Sequence, residues 1–432
     1  MRLAEPADHR IRLALLVGAV VSFAMIGGLS GLVVVFSFVV MLVLHELGHL
    51  LVARWSGMQV TEFFIGFGPQ LWSVRRGECI YGVKAIPAGA YVRITGMTNL
   101  DEVDPAVEHR TYRAKSYPRR LAVGLAGSAT HFAVALLLLF VLYGLVGTPD
   151  PDRWMVGEVV PGTTAAAIDV RSGDQILTVD GVEVHDFDLF GAVVRSSPGE
   201  TVKMVVERDG SRNVVSATIG ERRGVDGVSH GFFGVGRERP LVTVGPLAAV
   251  RDALERFGDL TVMSIDGLTS FFSPDGLARF FTGAISSDGP GSGSGDGSGS
   301  RLTGQEGAVN ARTVDSEGAV VAPDDADDER LLSIYGAARL GGAMLADGWA
   351  TYLWFLVLVN VFIGVFNLVP LLPLDGGHVV IATYERLRSF GGRRHTADAA
   401  KLVPVTWAVV SLLVLVGMVA LYRDIVDLPD LG

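Results

Sequence analysis

Residues 43–51 place two histidines and a carboxylate in the middle of a long apolar run. On a helix, His45 and His49 lie four residues apart on one face, with Cβ atoms roughly 5–6 Å from each other. That spacing lets both imidazoles bind one Zn²⁺ at about 2.0–2.1 Å. Glu46 then lies beside the metal, where it can take a proton from a water molecule. A charged group in hydrocarbon costs about 2.5–3.5 kcal/mol on insertion scales, which favours a functional HExxH over a chance one.

A catalytic zinc site needs a third protein ligand and an open fourth position. The single cysteine, Cys79, can form neither an internal disulfide nor a thiolate cluster, so the ligand must be His, Asp or Glu. Asp375 is the best candidate, because it is the acidic residue at the end of a long apolar run at matching depth. Prolines before it break the helix, and Gly376 and Gly377 permit a tight turn. Alone, Asp375 is equally well read as a helix-end turn residue; with the histidines, we expect it to bind zinc.

The composition predicts a membrane protein. Of 432 residues, 49% are hydrophobic and 19% charged, with a mean hydropathy of +0.41. The net charge of −10 gives no reason to expect a nucleic-acid partner. The apolar runs predict five spans, at about residues 13–27, 31–54, 121–146, 347–374 and 402–422.

The first of these spans has an alternative interpretation. Residues 13–27 are short and basic at their flank, as in a signal peptide, but no clear small-residue cleavage site follows. We therefore favour an uncleaved span, which makes residues 1–30 a cytoplasmic N-terminus with an additional helix. Gly27, Gly28 and Gly31 mark the break before the next span.

The loop charges predict the topology. The loops at 55–120 and 378–401 are basic and belong on the cytoplasmic side. The soluble segment 150–239 then lies outside the cell membrane, and the histidines and Asp375 meet near the cytoplasmic face.

Three soluble segments have distinct signatures. Alternating residues at 70–74 and 79–86 predict a β-hairpin. Residues 150–239 resemble a PDZ domain in their order of strand, short helix, strand and turn. Such domains bind an extended peptide at a sheet edge, although the domain could instead act only as a steric filter. Residues 240–285 are interpreted as membrane-surface segments or as helices packed on the spans. The Gly/Ser-rich and acidic stretch 286–330 is interpreted as a disordered linker.

Together these motifs resemble the site-2 protease family of intramembrane zinc metalloproteases, and most closely its bacterial regulators of membrane proteolysis. The resemblance is carried by the HELGH at 45–49, the GFGP at 66–69, the PDZ-like insertion, and the run from Asn367 through Pro370 and Pro373 to Asp375 and Gly376. It covers about residues 31–240 and 330–422.

The resemblance implies a fold class. The chain would be a polytopic α-helical membrane protein whose zinc protease bundle comes from residues 31–146 and 331–432. A membrane-associated β-hairpin and an inserted extracytoplasmic PDZ-like α/β domain would complete it.

The resemblance also implies roles. His45, His49 and Asp375 would bind zinc, Glu46 would be the general base, and Asn367 would hold the substrate backbone, unless it only caps or bridges helices. The hairpin containing Gly66, Phe67, Gly68 and Pro69 would pair with an unwound substrate.

Two positions depart from the family pattern. After Ala126 and Gly127 the family usually has a proline and then an asparagine, whereas this chain has Ser128 and His131. We expect His131 to form an interhelical hydrogen bond rather than to bind metal, and we assign no role to His378.

The implied function is hydrolysis of a peptide bond in or near the transmembrane helix of a single-span regulator, such as an anti-sigma factor, in the lipid of the inner membrane. Two alternatives remain. A membrane-anchored PDZ scaffold with a structural metal would need the ligands but not Glu46. A zinc transporter would need more polar residues along its spans than this chain offers.

Overall fold

The computed structural model describes residues 6–150, 153–223, 228–285, 333–389 and 395–426. The predicted linker at 286–330 lies outside them. The chain divides into a helical unit, built mainly from Met1–Val141, Leu247–Ser287 and Arg330–Leu431, and a smaller unit containing Leu142–Pro246.

The elements alternate between long helices and short strands. The helices are α1 (Pro6–Trp55), α2 (Tyr117–Val141), α3 (Thr164–Ala167), α4 (Phe187–Arg195), α5 (Pro246–Phe271), α6 (Pro274–Ile285), α7 (Ile334–Ala346), α8 (Trp349–Asn367), α9 (Asp375–Arg388) and α10 (Ala399–Val426). The strands are β1 (Val60–Arg76), β2 (Cys79–Ile94), β3 (Thr148–Pro149), β4 (Met155–Val159), β5 (Gln175–Val179), β6 (Val182–Glu183), β7 (Thr201–Arg208), β8 (Ser211–Thr218), β9 (Gly220–Arg223), β10 (Ser229–Phe232), β11 (Val235–Glu238) and β12 (Leu241–Val242).

Four helical segments of the described chain are long and apolar enough to cross a membrane: Gly28–Trp55, Tyr117–Val146, Trp349–Asn367 and Ala399–Ile425. They correspond to four of the five predicted spans. The predicted break falls at Gly28, whose φ of 66° interrupts α1. Residues 13–27 continue the helical backbone of α1 on the N-terminal side of this break.

The predicted span at 347–374 is wrong at its C-terminal end. Helix α8 stops at Asn367, and residues 368–374 form turns before α9 begins at Asp375. Pro370 and Pro373 lack backbone N–H groups and cannot continue a helix. Asp375 therefore occupies the first turn of a second helix, where the helix dipole favours a carboxylate.

The explanation offered for the two glycines after Asp375 is also wrong. Neither has a positive φ, and both belong to α9. They are required by close packing instead, because a Cβ on Gly377 would lie 2.6 Å from the Leu372 nitrogen. A Cβ on Gly376 would collide with the carbonyl oxygens of Leu368 and Val369.

The predicted β-hairpin is present but longer than expected. Strands β1 and β2 both bend, so residues 62–65 face residues 90–93 and also residues 80–83, while residues 70–76 face residues 79–84. The run 90–94 thus lies at one edge of the sheet. The buried face of the hairpin sheet packs on α1 through a cluster that includes Leu50, Val60 and Ile94.

Helices α5 and α6 pack against the long apolar helices. Phe257 of α5 contacts Phe132 of α2, with ring centroids 5.4 Å apart. Phe271 and Phe280 share a buried cluster with residues of α10. Of the two interpretations of residues 240–285, these contacts favour packing on the spans.

The smaller unit has its own core. Its main sheet has the strand order β6-β5-β7-β8, and β11 pairs with β4. Fifteen buried residues fill the centre, among them Trp154, Ile176, Phe190 and Met204.

The smaller unit contains an ion pair between the buried Asp174 and Arg208 of β7. The Asp174 side chain is 1% exposed and accepts hydrogen bonds from Arg208 at 2.7 Å and from the backbone of Arg171 at 2.8 Å. Burial alone would raise the pKa of Asp174, but the hydrogen bonds from Arg208 and Arg171 outweigh it and lower the pKa below its ordinary value.

We predict that Arg208→Met destabilises this unit by about 1–3 kcal/mol at neutral pH, because it leaves the buried Asp174 carboxylate without its guanidinium partner. Because folding lowers the pKa of Asp174, its ionised carboxylate stabilises the fold at pH values above the unfolded-state pKa of about 3.9. This contribution is lost as the pH falls through the lower pKa of the folded state. The variant and wild type should therefore converge in strong acid. Hydrogen exchange of the β5 and β7 amides in the intact protein measures the difference.

Arg212→Met is the matched control. Arg212 is 70% exposed and pairs with Glu207 on the same sheet, so its loss should change stability by less than about 1 kcal/mol. Equal effects of the two substitutions would contradict the prediction.

Candidate metal centre

Three predicted ligands converge within the helical unit. His45 and His49 project from α1, and Asp375 projects from the first turn of α9. The two Nε2 atoms are 3.2 Å apart, and Asp375 Oδ2 lies 3.2 Å from Nε2 of His49 and 3.4 Å from Nε2 of His45. Both histidines are buried, at 8% and 7% exposed.

These separations fit a tetrahedral zinc ion. Ligand atoms at about 2.0–2.1 Å from one tetrahedral centre lie about 3.3–3.4 Å from each other. Nδ1 of His49 donates a hydrogen bond to the Val123 carbonyl at 2.8 Å, which leaves Nε2 with a free lone pair. The lone pair on Nε2 of His49 and Oδ2 of Asp375 therefore face the same point. A cation at that point would stabilise both. The three residues could therefore hold a metal ion.

Helix α2 forms a wall behind the imidazoles. A Cβ on Gly127 would lie 2.5 Å from Nε2 of His49 and 2.6 Å from Nδ1 of His45. A Cβ on Gly48 would lie 2.8 Å from the Ala126 carbonyl oxygen. Glycine at both positions lets α1 and α2 approach closely enough for Val123 to reach His49.

Glu46 lies next to the ligands but is not one of them. It lies close enough to His49 and Asp375 to interact with them electrostatically, and its carboxylate approaches the backbone of Val92. Val92 lies in the 90–94 edge of the hairpin sheet. The carboxylate therefore faces both the ligand cluster and the sheet edge.

Helix α9, which carries Asp375, is fixed to α2 at two places. Val379 packs directly against Gly124, where an added Cβ would lie 2.9 Å from its side chain. Near its other end, Glu385 forms an ion pair with Arg120 at 2.6 Å, and both side chains are only 11% exposed. The Arg120 guanidinium also lies 5.0 Å from the centre of the Tyr112 ring. His378, to which no role was assigned, places its ring 6.5 Å from that of Tyr112.

His131 joins α2 to α8. Its Nδ1 lies 2.9 Å from Oδ1 of Asn360, and both residues are buried. This agrees with the expected interhelical hydrogen bond.

The predicted substrate-binding residues lie elsewhere. Asn367 is half-buried at the end of α8, and residues 66–69 occupy a bend of β1 where Phe67, Gly68 and Pro69 are exposed. Gly66 and Gly68 have φ values of 88° and 79°. Among the described residues, these positions form no hydrogen bond with His45, His49 or Asp375.

Sequence reasoning missed the supporting residues. Gly127, which contacts both imidazoles, was noted only as a family feature. Its position three residues after Gly124 in an apolar helix indicates close helix packing, so the sequence pattern could have identified it. Val123 and Val92 act through backbone atoms, so their side chains carry no signal.

Comparisons with known proteins agree on one family. The profile of Peptidase family M50 matches residues 33–293 and 303–414. Zinc metalloprotease Rip1 of Mycobacterium tuberculosis is 33% identical over 416 residues, which cover 89% of this chain and 94% of the relative. Protease RseP of Yersinia pestis is 26% identical over 411 residues, which cover 81% and 89%.

A solved PDZ domain, from the SdrC-like protein of Listeria monocytogenes, aligns with 20% of this chain and 87% of its own at 21% identity. Its TM-score of 0.18 is too low to support a conclusion about the fold.

We predict that Gly127→Ala removes bound zinc, because the added methyl group would occupy the space of both imidazoles. Zinc content of the purified protein, measured by elemental analysis, should fall from about one equivalent to less than about a tenth. Gly417→Ala is the matched control, since a Cβ there on α10 meets nothing within 4 Å. Full zinc occupancy in Gly127→Ala would refute the packing argument.

Proposed function

Because the chain belongs to Peptidase family M50 and is a zinc-dependent protease, we propose that it hydrolyses peptide bonds in or near the transmembrane helix of a membrane-anchored protein. Family membership and zinc dependence confirm the resemblance found in the sequence. The observation that carries the proposal is the convergence of three ligand atoms within 3.4 Å, beside a carboxylate, with both histidines on an apolar helix long enough to cross a membrane.

In this proposal His45, His49 and Asp375 hold the zinc ion. When bound, zinc polarises the scissile carbonyl and lowers the pKa of water to about 7. The hydrogen bond from His49 to the Val123 carbonyl fixes the tautomer that leaves Nε2 free for the metal.

Glu46 acts as the general base. Its carboxylate takes a proton from the attacking water, whose oxygen forms a bond with the carbonyl carbon. As the C–N bond breaks, the same carboxyl group returns the proton to the amine nitrogen. This role is supported by its position beside His49 and Asp375.

The substrate helix must unwind before it reacts. A helical peptide bond is shielded by its own hydrogen bonds, and in lipid the freed backbone groups need new partners. The 90–94 edge of the hairpin sheet provides such partners next to Glu46. In our proposal the hairpin, including residues 66–69, binds the unwound segment, and Asn367 holds its backbone.

The proposed substrate is a single-span membrane regulator, such as an anti-sigma factor, already shortened outside the membrane. The protein would reside in the inner membrane with its catalytic centre near the cytoplasmic face, as the basic loops at 55–120 and 378–401 suggest. The smaller unit would then lie outside. There β11 pairs with β4, and the Arg237 guanidinium on β11 lies 6.0 Å from the Phe187 ring of α4. A peptide could add to β11 on its α4 side.

The rival functions are weaker. A scaffold with a structural metal has no use for Glu46. A zinc transporter needs a polar path through the spans. Among the described helices, the buried polar residues His45, His49, His131 and Asn360 lie around the ligand cluster, whereas Ser333 and Asp424 pair with each other.

We predict that Glu46→Gln slows cleavage of a reconstituted single-span substrate by at least about 10²–10⁴-fold while zinc content stays at one equivalent. The amide keeps the size of the side chain but cannot accept the proton. Asp375→Ala should lose zinc as well as activity. Glu255→Gln, on an exposed face of α5, should behave as wild type. Wild-type turnover in Glu46→Gln would contradict the role of Glu46 as the general base.

We also predict that a substrate with a shortened outer segment is cleaved faster than its full-length form in the same liposomes. A free peptide copying the new terminus should slow that cleavage if β11 binds the peptide, and should have no effect if the domain only filters by size. Equal rates for long and short substrates would argue against any screening role.

A further inference from the structure

His131 is a buried titratable residue that the proposed mechanism does not use. It is 2% exposed, lies on α2, and its ring centre is 5.1 Å from that of His45, with the planes inclined at 45°. A second imidazole therefore lies beside the proposed zinc ligand His45.

The hydrogen bonds of Asn360 assign the tautomer of His131. Nδ2 of Asn360 donates to the Leu356 carbonyl at 2.7 Å, which turns Oδ1 toward His131. An amide oxygen only accepts, so Nδ1 of His131 carries the proton of the 2.9 Å hydrogen bond. Nε2 of His131 is consequently an acceptor, and it is buried without a hydrogen-bond partner among the described residues.

His45 presents the complementary group. Because its Nε2 faces His49 and Asp375, its proton belongs on Nδ1. That Nδ1 is buried and also lacks a well-formed hydrogen bond among the described residues. Histidines that bind metals almost always donate this second N–H to an acceptor, which fixes the ring and makes it a better ligand.

We propose that His131 is a positioning residue for the zinc ligand His45. The two atoms form no direct hydrogen bond in the structure; a rotation of either ring, or one bridging water molecule, brings the Nδ1 proton of His45 to Nε2 of His131, and Asn360 holds His131 in the required tautomer. The inference rests on the proposed assignment of His45 as a zinc ligand. It makes α8, through Asn360, a contributor to the metal centre, although α8 carries no ligand.

The competing acceptor is the backbone carbonyl of Gly127, which lies close to His45. Nδ1 of His45 forms no hydrogen bond with that oxygen that meets the ordinary limits of distance and angle. His49, by contrast, has a well-formed bond of 2.8 Å to a carbonyl of the same helix. The two histidines are therefore supported differently, one by the backbone and one by a side chain.

The experiment measures transfer of zinc from the purified full-length protein to a colorimetric chelator. His131→Phe, which keeps the ring but removes the acceptor, should release zinc about 10–100-fold faster than wild type. His131→Gln, whose side-chain oxygen can take the place of Nε2, should restore release to within about threefold of wild type. Asn360→Leu should also accelerate zinc release, because the proton of His131 is then no longer held on Nδ1 by the Asn360 oxygen.

Tyr352→Phe is the matched control. It removes another interhelical hydrogen bond, from Tyr352 to Ser37 at 2.7 Å, far along α8 from Asn360, and should leave zinc release unchanged. Wild-type release from His131→Phe would overturn the inference and favour the Gly127 carbonyl. Equal acceleration by His131→Phe, His131→Gln and Tyr352→Phe would overturn it too, since it would indicate general loosening of the bundle.

The readout separates this inference from the proposed function. If His45→Ala retains zinc, the ligand assignment on which the inference rests fails. If His45→Ala loses zinc while His131→Phe releases it normally, only the role of His131 fails.

Discussion

The structure depends on gathering polar atoms inside an apolar bundle. Nε2 of His45, Nε2 of His49 and Oδ2 of Asp375 form a triangle with sides of 3.2–3.4 Å. Three such acceptors repel each other in a low-dielectric interior unless a cation lies between them. A metal ion would therefore stabilise this arrangement, and the helices packed around the three atoms have to resist their separation.

Close helix contact provides that resistance. Gly48 and Gly127 allow α1 to lie against α2, and Gly124 allows α9 to approach α2 from the other side. The ion pair between Arg120 and Glu385 fixes α9 again near its other end. Helix α2 supplies no ligand, yet it touches both ligand-bearing helices and sets the distance between them. Small residues are thus as necessary to this centre as the residues that would bind the metal.

How much the sequence predicts depends on whether side chains or backbone carry the information. His45, Glu46, His49 and Asp375 were identified because residue type, spacing and hydropathy all pointed to the same depth. The end of α8 was misplaced, because a run of apolar residues does not reveal that Pro370 divides a span from the turns after it. The hydrogen bond from His49 to the Val123 carbonyl and the approach of Glu46 to the Val92 backbone are not predictable, since any residue can offer a backbone group. The bend in the hairpin strands depends on pairings between distant residues, which no local pattern specifies.

The ligands come from distant parts of the chain. His49 and Asp375 are 326 positions apart, and the smaller unit lies between them in sequence. At about 5–20 residues per second, a ribosome needs roughly 16–65 s to pass from one to the other. During that interval the nascent chain carries only two of the three proposed ligands. The metal centre can therefore form only after α9 has been synthesised and has docked against α2.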